Sequence, residues 1–407
     1  MARKKRQHIL KIIFVHWDYY PAIMEEMTYP VYQDSLLTTA VEINGKAYQP
    51  DQDYSINIGQ SNGGQPAQGG GNRFSNPKLD AAQKNGAVAV LTIATGFPRQ
   101  TKTSPKGNMY LNPFQKMIRP NQFTISEKMA EAIMGGDYTQ AKTRSVAPKI
   151  YTGNILLSFN KQTNPLQSSN VMGRLEGTDL KDEYVFVTAH YDHLGKRDTV
   201  IYYGADDDGS GTVGILEMVE AFAKAKAAGK RPRRSIVFMT VSGEEKGLLG
   251  SEFYVNHPVY SLEKTTVDLN IDMIGRIDAT RKQGDSTNYV YVVGDDKLSS
   301  DLKTISEAVN KKYTKLELDY KFNDAKDPTR IYFRSDHYNF AQKGLPIIFY
   351  YDGMLGADYH KPTDTPDKIN YALMAKRAQL VFYTTWDMAN RNDMLKRDII
   401  LAKPKGF

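Results

Sequence analysis

Cysteine is absent from the 407 residues of this chain, which excludes disulfide staples and any metal site built on thiolates. Tryptophan is scarce at 2 residues, although 26 tyrosines and 16 phenylalanines supply aromatic bulk for a large core. No stretch reaches the ~18–20 apolar residues that a membrane-spanning helix needs. A charge of one sign is missing too. The 53 basic and 46 acidic residues leave a net charge of +7 mixed along the chain, which argues against a dedicated nucleic-acid binder despite the opening "ARKKR". The stretch "MARKKRQHILKIIFV" has the outline of a signal peptide, but Lys11 interrupts its apolar run and no small-residue cleavage site follows. A solvated basic tail is the expectation.

What is present divides the chain. Residues 57–76, "NIGQSNGGQPAQGGGNRFSN", hold few bulky apolar groups and read as a flexible loop. Around them lies a small α+β pattern: a short helix in "PKLDAAQK", a strand in "AVAVLTIAT", and a helix in "TISEKMAEAIMGG" with Ser126 as N-cap and Gly135 as stop. From about residue 150 strands and helices alternate. Strands are expected at 183–189, 235–241, 266–271, 288–293 and 345–351, and helices at 211–229, 299–312 and 371–391. Most of these strands are apolar on both faces, which implies a mixed, mainly parallel sheet covered by helices on each side.

Polar residues collect where those strands end. His190, Asp192 and His193 follow the first, Glu244 and Glu245 the second, and Asp272 the third, while Tyr359, His360 and Asp364 lie shortly after the last. Ligands of open α/β sheets bind at such ends. Clustered acids repel unless a cation neutralises them. Imidazole with carboxylate suits Zn2+, and Mn2+ or Co2+ as substitutes, and two histidines with several acids point to more than one ion. Each motif has a plainer reading alone: "GADDDGSG" as an acidic turn before a helix, "SGEE" as an acid-rich helix start. Their order and shared position at strand ends make the set stronger than its parts.

In order, "AHYDHLG", "GADDDGSG", "SGEEKGLLGS", "NIDMIGR", "RSDH" and "YHKPTDTPDKI" resemble the co-catalytic dizinc exopeptidases, which include bacterial leucyl aminopeptidases, glutamate carboxypeptidase and the single-zinc glutaminyl cyclase. The resemblance covers about residues 165–390. It implies a three-layer α/β/α domain over 149–407, a shortened protease-associated-like α+β domain over 40–148, and an unassigned segment over 1–39. It implies two zinc ions, with His190 and Asp272 on one, Glu245 and His360 on the other, and Asp207 bridging both. Glu244 is then the general base, Asp192 the carboxylate that orients the His190 imidazole, and Tyr359 the donor to the oxyanion. A periplasmic or secreted setting also follows from it.

The implied activity is hydrolysis of the N-terminal bond of peptides with a free amine. A carboxypeptidase or dipeptidase would keep the same metal residues, and Arg330 and Arg334 near "RSDH" leave room for a basic pocket that takes an acidic substrate. Glutaminyl cyclase chemistry fits less well because the complete two-metal set is present. A catalytically silent binding module would have shed ligands or base, and none is missing.

Overall fold

The computed structural model describes residues 23–57, 77–100, 102, 104, 106–112, 120–143, 147–324 and 326–401. The basic start and nearly all of the Gly/Gln-rich stretch therefore lie outside the described residues. Two compact units emerge, one built mainly from 30–167 and one mainly from 168–403.

The smaller unit holds most of β1 (Ile23–Ile43), then β2 (Lys46–Tyr48), β3 (Tyr54–Asn57), α1 (Pro77–Lys84), β4 (Ala89–Ala94), β5 (Lys106–Tyr110), β6 (Asn121–Ser126), α2 (Glu127–Met134), α3 (Gly136–Ala141) and the first part of β7 (Ile155–Leu175). β6 lies between an antiparallel β3 and a parallel β4. Tyr54, Ile56, Phe123, Ile125 and Met129 close its core. The helix expected after an N-cap at Ser126 is present as α2, but Ile125, counted in its apolar spacing, lies outside it. Ile125 belongs to β6 and pairs with Tyr54 and Ile93, because β-branched and aromatic neighbours across the ladder outweigh its helical spacing. Ser126 caps α2 by accepting from the Met129 amide, and Gly135, at φ 57°, ends it.

The larger unit follows the alternation. After the end of β7 come β8 (Leu180–His190), a hairpin of β9 (Gly195–Arg197) and β10 (Val200–Tyr202), α4 (Gly209–Ala227), β11 (Arg234–Val241), α5 (Leu249–Asn256) and β12 (Thr265–Ile271). There follow β13 (Tyr289–Val293), α6 (Leu302–Tyr313), β14 (Glu317–Asp319), α7 (His337–Gln342), β15 (Ile347–Tyr351) and α8 (Tyr371–Asn390). Its sheet runs β14-β13-β15-β12-β8-β11-β7. β8 is parallel to β11 and β12, β12 to β15, and β13 to β14, whereas β7 and the β13/β15 pair run antiparallel.

Period-two alternation along the strands builds two cores from one sheet. Val185, Val187 and Ala189 of β8 pack with Ile215, Phe222, Leu380 and Val381 of α4 and α8, while Phe186, between them, packs with Tyr254 of α5 and Phe340 of α7. This is the three-layer arrangement. It sets the carboxyl ends of β8, β11, β12 and β15 along one edge of the sheet. Among the described residues no helix is long and apolar enough to cross a membrane.

Candidate metal centre

Three successive aspartates open the site, and each has a different fate. The carboxylate of Asp208 accepts the backbone amides of His190, Gly211 and Met273, so both oxygens are used in capping α4 and tying it to the ends of β8 and β12. Asp206 accepts the Gly275 amide. Its pKa is pushed well up by burial and by the neighbouring Asp352. Asp207 receives no backbone amide on its side chain; instead Oδ1 lies 3.2 Å from His190 Nε2 and Oδ2 lies 3.1 Å from His360 Nε2. Asp364 holds this loop by accepting the Asp206 and Asp207 amides.

The remaining groups arrive from the other strand ends. Asp272, one residue past β12, lies 3.6 Å from His190 Nε2. Its loop is anchored by Arg377, a buried guanidinium donating to the carbonyls of Ile274 and Arg276. Past β11, Gly243 adopts φ +74° with Leu249 Cβ only 3.1 Å from where its own Cβ would stand, a turn that suits glycine. That turn presents Glu244 and Glu245 in a short 3-10 segment. Glu245 Oε1 lies 3.1 Å from His360 Nε2, and Glu244 Oε2 lies 3.9 Å from His190 Nε2.

Asp192 takes a different part from the one the resemblance implies. Its main-chain oxygen, 2.9 Å from His190 Nδ1, orients the imidazole, while the carboxylate stays 3.8 Å away. The carboxylate instead accepts the amides of Glu244 and Glu245 and so fixes the glutamate pair. Tyr359 stacks on His360 at 3.8 Å between ring centroids, and its hydroxyl oxygen accepts from Arg334 at 3.1 Å. Arg334 lines the cleft together with Asp207, Glu244, Asp272 and Tyr359, and Met273, Ile331, Phe349 and Leu355 give the same cleft its apolar lining. Arg330 packs over Phe333 instead.

Two contributors lie outside the roles the resemblance implies. His193 closes the "HYDH" motif, and its Nδ1 lies 3.0 Å from Glu245 Oε1. Its spacing of three residues from His190 was the available signal. The apolar wall comes from four separated segments, and no local pattern marks it.

The electrostatics ask for a cation. Burial alone would lower the His190 pKa, yet the charges of Asp272 and Glu244 push it well above the ordinary value. His360 is likewise carried against burial to about 9 by Asp207 and Glu245. Glu244 is pushed well up by burial against the opposing pull of His190, with Asp272 and Glu245 adding to the rise. Protons gather where lone pairs are needed for ligation, so an ion binding here would displace them. Buried His190 Nε2, both nitrogens of His193, Asp207 Oδ2 and both oxygens of Glu245 make no hydrogen bond. Polar atoms buried without partners are costly, and a shared divalent ion satisfies them together. Asp208 also lies within ligand reach of His190 and Asp272, but its oxygens are already occupied by amides. The donor set, nitrogen and oxygen without sulfur, fits zinc.

A sequence profile of Peptidase family M28 matches residues 170–385. A probable leucine aminopeptidase of Arthroderma otae is 32% identical over 279 residues, covering 67% of this chain and 70% of that protein. One from Trichophyton verrucosum is 31% identical over 214 residues, covering 51% of this chain and 55% of its own length, so the chain spans about half of that relative. Among solved structures, an aminopeptidase from Aneurinibacillus sp. matches with a TM-score of 0.59 at 18% identity, over 97% of this chain and 91% of that one. A zinc aminopeptidase from Bacillus subtilis gives 0.54 at 20% identity, over 99% and 93%. At such identities these two establish the fold. The profile takes in every strand-end segment just described and more than half of the sequence, and with it the chain belongs to peptidase family M28.

Proposed function

We propose that this peptidase is a zinc-dependent aminopeptidase that removes the first residue from peptides with a free N-terminus, using two ions. The observation that carries the reading is the set of buried donor atoms without hydrogen bonds, His190 Nε2, Asp207 Oδ2 and the Glu245 oxygens, gathered at the strand ends beside one cleft. His190, Asp207 and Asp272 would hold one ion, and Asp207, Glu245 and His360 the other. Bound there, zinc supplies a water acidified toward neutrality and polarises a peptide carbonyl.

Glu244 lines the same cleft. Its raised pKa suits a base that takes the proton of the attacking water and delivers it to the leaving amine nitrogen as the C–N bond breaks. Because Arg334 donates to the Tyr359 oxygen, the phenolic proton is left to point toward the carbonyl oxygen as that oxygen gains charge. Crowded carboxylates favour a substrate ammonium in this cleft, and the apolar wall favours an uncharged first side chain. The names of the similar fungal and bacterial proteins support the same choice.

Arg334 also supports a second reading. A guanidinium in the cleft could meet a substrate carboxylate, as a carboxypeptidase or dipeptidase would require. Its hydrogen bond to Tyr359 makes that the lesser reading. Residues 40–148 are read as a protease-associated-type insertion, supported by the three-stranded β3-β6-β4 sheet and the core around Tyr54, Phe123 and Met129.

Chelation followed by metal return tests the dependence, and Glu244→Gln tests the base. The variant is expected to keep wild-type metal content in elemental analysis while turnover falls by roughly 100- to 10,000-fold. Near-normal turnover would remove Glu244 from the mechanism.

A further inference from the structure

We infer that Tyr29 is a positioning residue for Glu244: from the first part of β1 its hydroxyl holds Ser242, and through Ser242 the turn that presents the base to the cleft. This rests on the reading of Glu244 as the base.

Ser242 links the end of β11 to the Gly243 turn, and every polar atom it has is engaged. Its amide donates to Asn170 Oδ1 at 3.2 Å. Its carbonyl oxygen accepts from the Gly250 amide at 2.9 Å and from Tyr29 Oη at 2.7 Å. Its Oγ donates to the Ser169 carbonyl oxygen at 2.8 Å, and lies 2.7 Å from Ser168 Oγ and 2.9 Å from Tyr29 Oη. The hydrogens close the count: Ser242 gives its own to Ser169, Ser168 gives one to Ser242 Oγ, and Tyr29 gives one to the Ser242 carbonyl. The other partners belong to β7 and α5, so Tyr29 is the contribution of the N-terminal strand.

The same Ser169 carbonyl oxygen accepts from Tyr191 Oη at 2.6 Å. Tyr191 stands between His190 and Asp192, and the Asp192 carboxylate accepts the Glu244 and Glu245 amides. The loop that carries His190 and the turn that carries Glu244 therefore meet twice, at the Asp192 carboxylate and at the Ser169 carbonyl. Between these two ties lies Gly243, the residue type with the most backbone freedom to lose, so the turn depends on anchors at its flanks.

Tyr29 is itself held firmly. It is buried, and its ring stacks on Phe253 of α5 with centroids 5.0 Å apart. Burial pushes its phenol up to about 12, so the hydroxyl remains a donor at neutral pH. Its Oη also lies only 3.4 Å from where a Cβ of Gly243 would stand. The N-terminal segment, unassigned from sequence, thus has at residue 29 a part in the reaction that it plays through Glu244 alone.

The test is a double-mutant cycle on the zinc-loaded full chain, with Tyr29→Phe, Glu244→Gln and the two combined, compared at equal metal content by elemental analysis. Tyr29→Phe keeps the ring on Phe253 and removes only the hydroxyl. A catalytic group displaced by an ångström can cost on the order of 100-fold, and Tyr29→Phe is expected to lower kcat by about 10- to 100-fold with KM changed by less than about 3-fold. It should leave the slow residual turnover of Glu244→Gln unchanged, because residues that act through one another lose their effects together. A variant that merely folds less well would lose turnover equally in both backgrounds. In the metal-free chain, amide hydrogen exchange over 242–250 should quicken in Tyr29→Phe while that of β12 stays as in wild type. Ser242→Ala, which removes the Oγ tie to Ser169, is the second variant and should show the same pattern. A normal kcat in Tyr29→Phe, an equal loss in both backgrounds, or unchanged exchange over 242–250 overturns the inference and leaves the base in place. Near-normal turnover of Glu244→Gln overturns the reading of the base, and the inference with it.

Discussion

Asp206, Asp207 and Asp208 share one side chain and sit in three environments, and that difference is a prediction at the scale of the residue. Asp207→Asn takes a charge from between His190 and His360, and metal content should fall well below that of wild type. Asp206→Asn replaces a carboxyl already pushed toward its neutral form, so metal content should hold. Asp208→Asn puts an amide nitrogen where backbone amides donate, and its cost should appear in stability, about 1–3 kcal/mol, more than in metal. Elemental analysis and denaturant unfolding of the three variants separate these outcomes, and equal metal loss in all three would contradict the assignment. The sequence could say that acids crowded here and that glycines let the chain turn. It could not say which acid faces the site, because that depends on amides of residues 190, 273 and 275 brought in by other strands. Asp192 shows the same limit: its position near His190 was legible, but the oxygen that meets the ring is the main-chain one.

At the scale of elements, strand ends were the readable part. Each of the strands expected at 183–189, 235–241, 266–271, 288–293 and 345–351 is present within a few residues, because long apolar runs bounded by polar turns leave little choice. Elements without such runs were missed. The end of β7 is half polar and β14 is three residues long, so neither stands out from loop. In the smaller unit the strands are pinned by a polar device that no periodicity reveals. Asp34 of β1, buried, accepts from Tyr110 of β5 and from Lys161 and Thr163 of β7. Burial alone would raise its pKa, but these three donors hold it below the ordinary 3.8. Because the folded pKa is the lower one, the stabilisation is present above pH ~3.8 and lost as pH falls through the folded value. Asp34→Asn should therefore cost about 1–3 kcal/mol at pH 7 and progressively less below pH ~3.8. Denaturant unfolding of both proteins across that range checks it; a penalty independent of pH would refute it.

Of the molecule's two units, the larger has one sheet that feeds two cores and delivers its acids and imidazoles to one edge. The fold was legible because alternation of strand and helix restricts topology. The cleft was not, since Met273, Ile331, Phe349 and Leu355 meet only after the chain has folded. Arg334 and the apolar wall leave two substrate ends in contention, and the charge of the substrate's first amine separates them. The most direct measurement is cleavage, by metal-loaded protein, of matched peptides whose N-terminus is either free or acetylated and whose C-terminus is either free or amidated. Release of the first residue only from free-amine peptides, indifferent to amidation, is the expected result. Cleavage that survives acetylation and disappears on amidation would contradict an aminopeptidase and hand the cleft to a carboxypeptidase.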